Sequence, residues 1–235
     1  AKDGANINGT GSSTITAQNG GIGAYVTGTT PSSVATTIDV QAGTSSKYSM
    51  GVYYDGVSGL GTVPTITQSG SYTIGMVLDN SSTGSTAAGI SIGGAGTSNQ
   101  VGVMAKGSSN LTVAGSVNIT GGDNNIGVYG ENSTITVSGD VMVADSSASG
   151  NKSTSSIGIS LDGGTYTGTG NISTGDYSIG VFGKGMTAGS VISQSTGTMT
   201  VGKDGLGIYG EGTGGTITAN MSGITVGTDN AIGVY

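Results

Sequence analysis

No cysteine, histidine, arginine or tryptophan occurs among the 235 residues, proline appears twice, and phenylalanine once. Each absence removes a class of chemistry. Without cysteine there is no disulfide and no thiolate site. Without histidine and cysteine there is neither a Ser-His-Asp nor a Cys-His apparatus, and no zinc centre built on those ligands. Without arginine, arginine-dependent polysaccharide-lyase chemistry is excluded. Six lysines face thirteen acids, for a net charge of −7. They form no basic cluster, so nucleic acid is not an expected partner, because phosphate binding needs concentrated Lys or Arg. No apolar run approaches the roughly 20 residues that cross a bilayer, so no membrane contact is expected of this segment. No apolar residues recur at 3.6 spacing, and the dense glycines would each cost about 1 kcal/mol inside a helix.

What is present is glycine, 49 residues of it, with 34% hydrophobic residues and only 8% charged. Val, Ile and Thr recur in short alternating runs, which is strand chemistry rather than the composition of a disordered chain. The runs repeat. An apolar residue, Gly and a second apolar residue appear as Ile22-Gly23-Ala24-Tyr25, Met50-Gly51-Val52-Tyr53, Ile126-Gly127-Val128-Tyr129, Ile179-Gly180-Val181-Phe182 and Leu206-Gly207-Ile208-Tyr209, nine times in all. From Gly23 to Gly233 there are eight steps of about 26 residues, a period in the solenoid range.

The repeat opening at Ile126 holds three short alternating runs, Ile126 to Tyr129, Thr134 to Val137 and Val141 to Val143, separated by polar corners. Three strands per coil predict an all-β, right-handed parallel β-helix, each strand pairing with its equivalent one coil on, so that eight steps of about 4.8 Å climb roughly 38 Å. The chain reads as one domain, 1–235, of about nine coils. It ends within a repeat strand without a polar cap, which predicts a segment of a longer β-helix. Strict alternation places Ile22, Val52, Ile74, Val103, Ile126, Val128, Ile159, Val181, Ile208 and Val234 in one core and turns the motif glycines outward. The longest repeat carries its excess in 144–156, expected to project as a loop with few core contacts; 27–37, with Pro31, is a second expected corner or loop.

No catalytic, cofactor-binding or metal-ligating residues are singled out. Asp123, Asp140, Asp162, Asp176 and Asp229 sit beside Gly or Asn, where corner chemistry asks for them, and not as a carboxylate pair for glycoside hydrolysis. Gly121-Gly122-Asp123 and Asp162-Gly163-Gly164 are isolated, unlike the tandem nonapeptides that bind calcium, and no cofactor is expected. Asn-x-Ser/Thr triplets such as Asn132-Ser133-Thr134 arise by chance in so Asn/Ser/Thr-rich a sequence.

The fourth repeat position is the candidate functional feature. Tyr25, Tyr53, Tyr129, Phe182, Tyr209 and Tyr235 occupy it, with Met104 adding an adaptable apolar group. Alternation turns them outward as a vertical stripe. One reading is a ladder of stacked rings that supports neighbouring coils. The other is a ligand-facing surface, since tyrosine faces suit sugar rings and Tyr is enriched at recognition sites.

The phrase Asn125-Ile126-Gly127-Val128-Tyr129-Gly130-Glu131-Asn132-Ser133, echoed in Gly205-Leu206-Gly207-Ile208-Tyr209-Gly210, resembles the passenger repeats of the large type Va autotransporter adhesins of fusobacteria. The resemblance spans essentially the whole chain and rests on repeat style. It implies a β-helical passenger, non-enzymatic, exported through a C-terminal barrel to the outer membrane and cell surface, attaching to glycan or protein receptors on host cells or to other bacteria. A pure spacer, with binding elsewhere in the parent chain, and a carbohydrate-active β-helix enzyme are the alternatives. The repeat defines a scaffold, so no binding residue follows from the resemblance.

Overall fold

The computed structural model describes residues 1–8, 13–86, 88–147 and 154–235. It is all-β: every strand pairing within its sheets is parallel, and the strands stack turn upon turn as a solenoid. The first face is a nine-stranded sheet made of the glycine-motif strands, running from Ile22–Thr27 through Ser49–Asp55, Thr73–Asp79, Gln100–Ala105, Ile126–Glu131, Ile157–Asp162, Ile179–Met186 and Leu206–Gly212 to Ile232–Val234. From Thr83 onward each turn adds two more strands. These form a six-stranded second face, from Thr83–Thr86 to Thr216–Ala219, and a six-stranded third face, from Ile90–Ile92 to Gly223–Val226.

Inside, equivalent residues stack in columns. Leu111, Ile135, Tyr166 and Ile192 share one register on the second face; Val117, Val141, Ile172 and Met199 share one on the third; all are buried. The large Tyr166 fits because its hydroxyl donates to Gln194 Oε1 at 3.0 Å, and because Gly168 beside it has no side chain to compete for the space. A sheet face that buries branched side chains at every second residue is what the Val/Ile/Thr runs specify.

The first face departs from strict alternation. Val52, Val103, Val128, Ile159, Val181 and Ile208 lie in the main core as expected. The preceding apolar residue does not: Ile22 is 46% exposed, and Ile74, Val101 and Ile126 belong to a separate outer cluster with Tyr53, Met104 and Tyr129. The glycine between them points inward, contrary to the outward column expected. A Cβ on Gly127 would stand 2.6 Å from Gly158 O and closer still to Val117 Cγ1 of the third face; Gly102, Gly158 and Gly180 are confined in the same way by Ile90, Val141 and Ile172. Two consecutive motif residues, Gly and Val, therefore face the interior, and the strand bends there. Only a residue without Cβ lets the third face approach so closely. Val234, also expected inside, is 38% exposed.

A buried polar column precedes the motif. Ser49, Thr73, Gln100, Asn125, Ser156 and Ser178 are all buried, and they bond between turns, as in Asn125 Oδ1 accepting from Gln100 N at 2.9 Å and Ser156 Oγ accepting from Asn125 N at 3.2 Å. Such groups are tolerated inside only because each is satisfied. Part of the expected loop 144–156 joins this column: Ser146, Ser155 and Ser156 are buried, and Ser146 Oγ lies 3.0 Å from Ser178 Oγ. Residues 148–153 of that loop lie outside the described residues. In 27–37, Pro31 is exposed in a corner, but Val34–Ala35 is a strand paired with Ile7–Asn8, and Val34 is fully buried.

The second and third faces are interrupted once. The third-face strands Thr14–Ala17, Thr37–Val40 and Thr65–Gln68 form their own sheet and do not pair with Ile90–Ile92. Two glutamines cross this seam. Gln100 Nε2 donates to Gly70 O at 2.8 Å and Gln68 O at 3.2 Å, while its Oε1 accepts from Gly93 N at 2.8 Å. Gln68 Nε2 donates to Val101 O at 3.1 Å.

Candidate functional site, the outer surface of the first face

Because the strand bends inward at its glycine, the first, fourth and sixth residues of each motif strand point away from the main core, although in Thr73–Asp79 all three are buried. The first contributes an aliphatic column, the fourth the aromatic stripe, and the sixth a charged column that includes Asp55, Asp79, Lys106, Glu131, Asp162 and Lys184. That the aliphatic column is separate from the main core was not legible, since alternation put it there; Ile74, Val101, Ile157, Ile179 and Leu206 are nonetheless buried. It packs sideways against the stripe: Ile157, Ile179 and Leu206 form one cluster with Phe182 and Tyr209, as Ile74, Val77 and Val101 do with Tyr53 and Tyr129. A recess of about 240 Å³ beside the column is lined by Tyr177, Ile179, Asp204, Leu206, Asn230 and Ile232, with Ser155 and Ser178.

The register brings the stripe residues into one line, but it is not one continuous stack. Tyr25 pairs with Tyr53, their rings 5.6 Å apart and 16° from parallel; the line then passes through Val77 and Met104 to Tyr129, and through Ser160 to Phe182. Phe182, Tyr209 and Tyr235 stack again, at 5.6 and 5.2 Å. Tyr129 thus stands between Met104 and Ser160 with no ring above or below.

The lower tyrosines are tied to the charged column of the next turn. The Tyr25 hydroxyl donates to Asp55 and that of Tyr53 to Asp79. Lys106 Nζ is 2.8 Å from Asp79 Oδ2 and sits 5.8 Å from the centre of the Tyr53 ring, within cation–π range. The Tyr25 hydroxyl, with the Asn80 side-chain amide as a second donor, holds the Asp55 carboxyl below its ordinary value. Burial alone would raise Asp79, but the bonds from Lys106, Tyr53 and the Asn80 amide outweigh it, and its carboxyl is lowered too. Tyr129 is raised by burial and then by the charges of Asp162 and Glu131; among the described residues its hydroxyl has no hydrogen-bond partner.

The corner carboxylates cap backbone of the following turn. Asp140 Oδ1 accepts from Asn171 N at 2.7 Å, Asp176 Oδ1 from Lys203 N at 2.8 Å, and Asp123 Oδ1 from Ser147 N at 2.8 Å. This is the turn role the sequence suggests for them. Among the described residues no three His, Cys, Asp or Glu side chains gather as a metal cluster, and no helix is long and apolar enough to cross a membrane. Comparison with protein-family models, with curated proteins and with solved structures finds no match to this chain.

Proposed function

We propose that this chain is a segment of a cell-surface adhesin, a stiff β-solenoid stalk that presents the outer surface of its first face to receptors on host cells or other bacteria. The observation that carries the reading is the fourth-position line, in which Tyr25 and Tyr235 are exposed and Tyr53, Tyr129, Phe182 and Tyr209 half-buried, beside a charged column. Partly exposed aromatic side chains beside charged groups mark an interaction face, and tyrosine rings suit sugar or peptide partners. Tyr129 is the best-placed contact, because its ring is not stacked and its hydroxyl is not engaged within the described residues. Outer-membrane display as an autotransporter passenger is the placement that the repeat resemblance suggests. Glycan-array and cell-attachment assays with the isolated segment test the proposal: saturable attachment lost on Tyr129→Ser supports it, and no attachment at any density overturns it for this segment.

A second reading, a spacer with binding elsewhere in the parent chain, draws on the ring stacking of Tyr25 with Tyr53 and of Phe182, Tyr209 and Tyr235, which is what a ladder needs. In that case the segment attaches to nothing yet unfolds more readily when Tyr209 is removed.

A further inference from the structure

The seam encloses a cavity that neither the stripe nor the stalk role uses. Its volume is about 490 Å³, and it runs from exposed Ala88 and Gly89 at the mouth to Met76 and Val103 on the inner surface of the first face. It exists because Thr65–Gln68 and Ile90–Ile92 do not pair, so the side chains that close the interior elsewhere are held apart. Val63, Ile66, Ile90 and Ile92 supply apolar walls, and no charged residue lines it.

One polar atom in it is unexplained. Thr86 is more than nine-tenths buried, lines the cavity, and its Oγ1 has no hydrogen-bond partner among the described residues. The same register position carries Val113 and Val137 in the next two turns, so packing alone asks for Val here. A buried hydroxyl without a partner costs about 1–3 kcal/mol, and the volume lies in the range of small-molecule sites, which pair apolar walls with a few polar anchors.

We infer that the seam cavity binds a small uncharged molecule with an apolar body and one hydrogen-bonding head group, anchored on Thr86 Oγ1. An ionised ligand would lose its hydration with no counter-charge to replace it. Binding here is independent of receptor attachment by the outer face.

The test uses the whole chain with 2-naphthol and naphthalene as fluorescent probes, against the variants Thr86→Val and Ala88→Trp. Both probes should bind the parent saturably. Thr86→Val should weaken 2-naphthol about tenfold, the loss of one net hydrogen bond, and leave naphthalene within about twofold. Ala88→Trp, at an exposed position, should obstruct the mouth and weaken both. Thermal unfolding confirms that each variant is folded; Thr86→Val matches the Val of neighbouring turns and should be at least as stable as the parent. Absence of saturable binding by the parent overturns the inference, as does 2-naphthol binding that both variants retain in full. Binding of an extended peptide but of neither probe would also overturn it, and would assign the seam to strand pairing instead.

Discussion

The turns below the seam and those above it are built from the same motif strand, yet only the first face runs unbroken through both. Above, the chain leaves Thr73–Asp79 and begins its second-face strand at Thr83 after a three-residue corner. Below, the turn that opens with Ser49–Asp55 crosses 56–64 with a single bridge, Ser58 to Thr83, before Thr65–Gln68 begins. The third-face strand thus starts after nine residues below and after ten above, the two strands do not pair, and two glutamine side chains take the place of ladder bonds. The first face runs unbroken because its motif glycines pack against the backbone of the next turn on both sides of the seam.

The largest expected effect strikes the feature both regions share. Gly127→Val would drive a side chain into Gly158 O and Val117, and should destabilise by about 3 kcal/mol, at the upper end of overpacking costs. Gly189→Ala, where a Cβ meets nothing within 4 Å, should change stability by less than about 0.5 kcal/mol. Denaturant unfolding of the pair checks the contrast; equal costs would mean that the glycine column is not what sets the register.

Cutting the seam comes next. Gln100→Ala removes three side-chain bonds and leaves Gly93 N and Gly70 O without those partners, for a loss of about 2 kcal/mol. In a solenoid, stability is carried by nearest-neighbour interfaces. Native-state hydrogen exchange of this variant should therefore show residues 13–68 opening before 100–226; a single cooperative opening would show that the first face alone couples the two regions.

The charged column makes the two turns that meet at the seam sensitive to pH. Asp55, in the turn below it, and Asp79, in the turn above it, have carboxyls lowered from 3.8. A lowered carboxyl adds stability that is present above its unfolded value and lost as pH falls through its folded value. Acidification below 3.8 should thus loosen the turns on either side of the seam before the upper ones. Asp79→Asn should cost about 1 kcal/mol at neutral pH, through loss of the Lys106 pair, and should flatten the acid dependence measured by unfolding at pH 2 to 5.

The fold was legible in the sequence because the period, the three runs per repeat and the corner residues all specify the same coil. What was not legible is which side a motif residue faces. Alternation is a rule for regular strands, and the bend at Gly127 and its equivalents breaks it: Ile126 and Ile179 leave the main core for a second cluster with the stripe, and the glycine turns inward. A signal was present, since a glycine at the same place in every motif marks close backbone approach rather than an empty outer position. The buried Ser/Asn/Gln column and the seam could not be read from one repeat, as both depend on how a corner meets the turn above it. The aromatic line survived because the fourth position follows the bend, though Val77 and Ser160 divide it.

The smallest effect separates ladder from recognition. Tyr209 has rings on both sides, while Tyr129 has Met104 and Ser160. If the line serves stacking, Tyr209→Ser should cost about 1 kcal/mol and Tyr129→Ser only about 0.2 kcal/mol, the two ends of the cross-strand range. Attachment should then be indifferent to both. If the outer face recognises a receptor, the order inverts in the binding assay, because an unstacked ring with a free face loses less neighbour contact and offers more to a partner. Tyr129→Ser should then weaken attachment by about 1–2 kcal/mol with little change in melting temperature. Equal stability costs for the two substitutions would remove the stacking argument. Equal and unchanged attachment would leave the outer face as the side wall of a stalk, with its aliphatic column serving only to cover the bend that the glycines make.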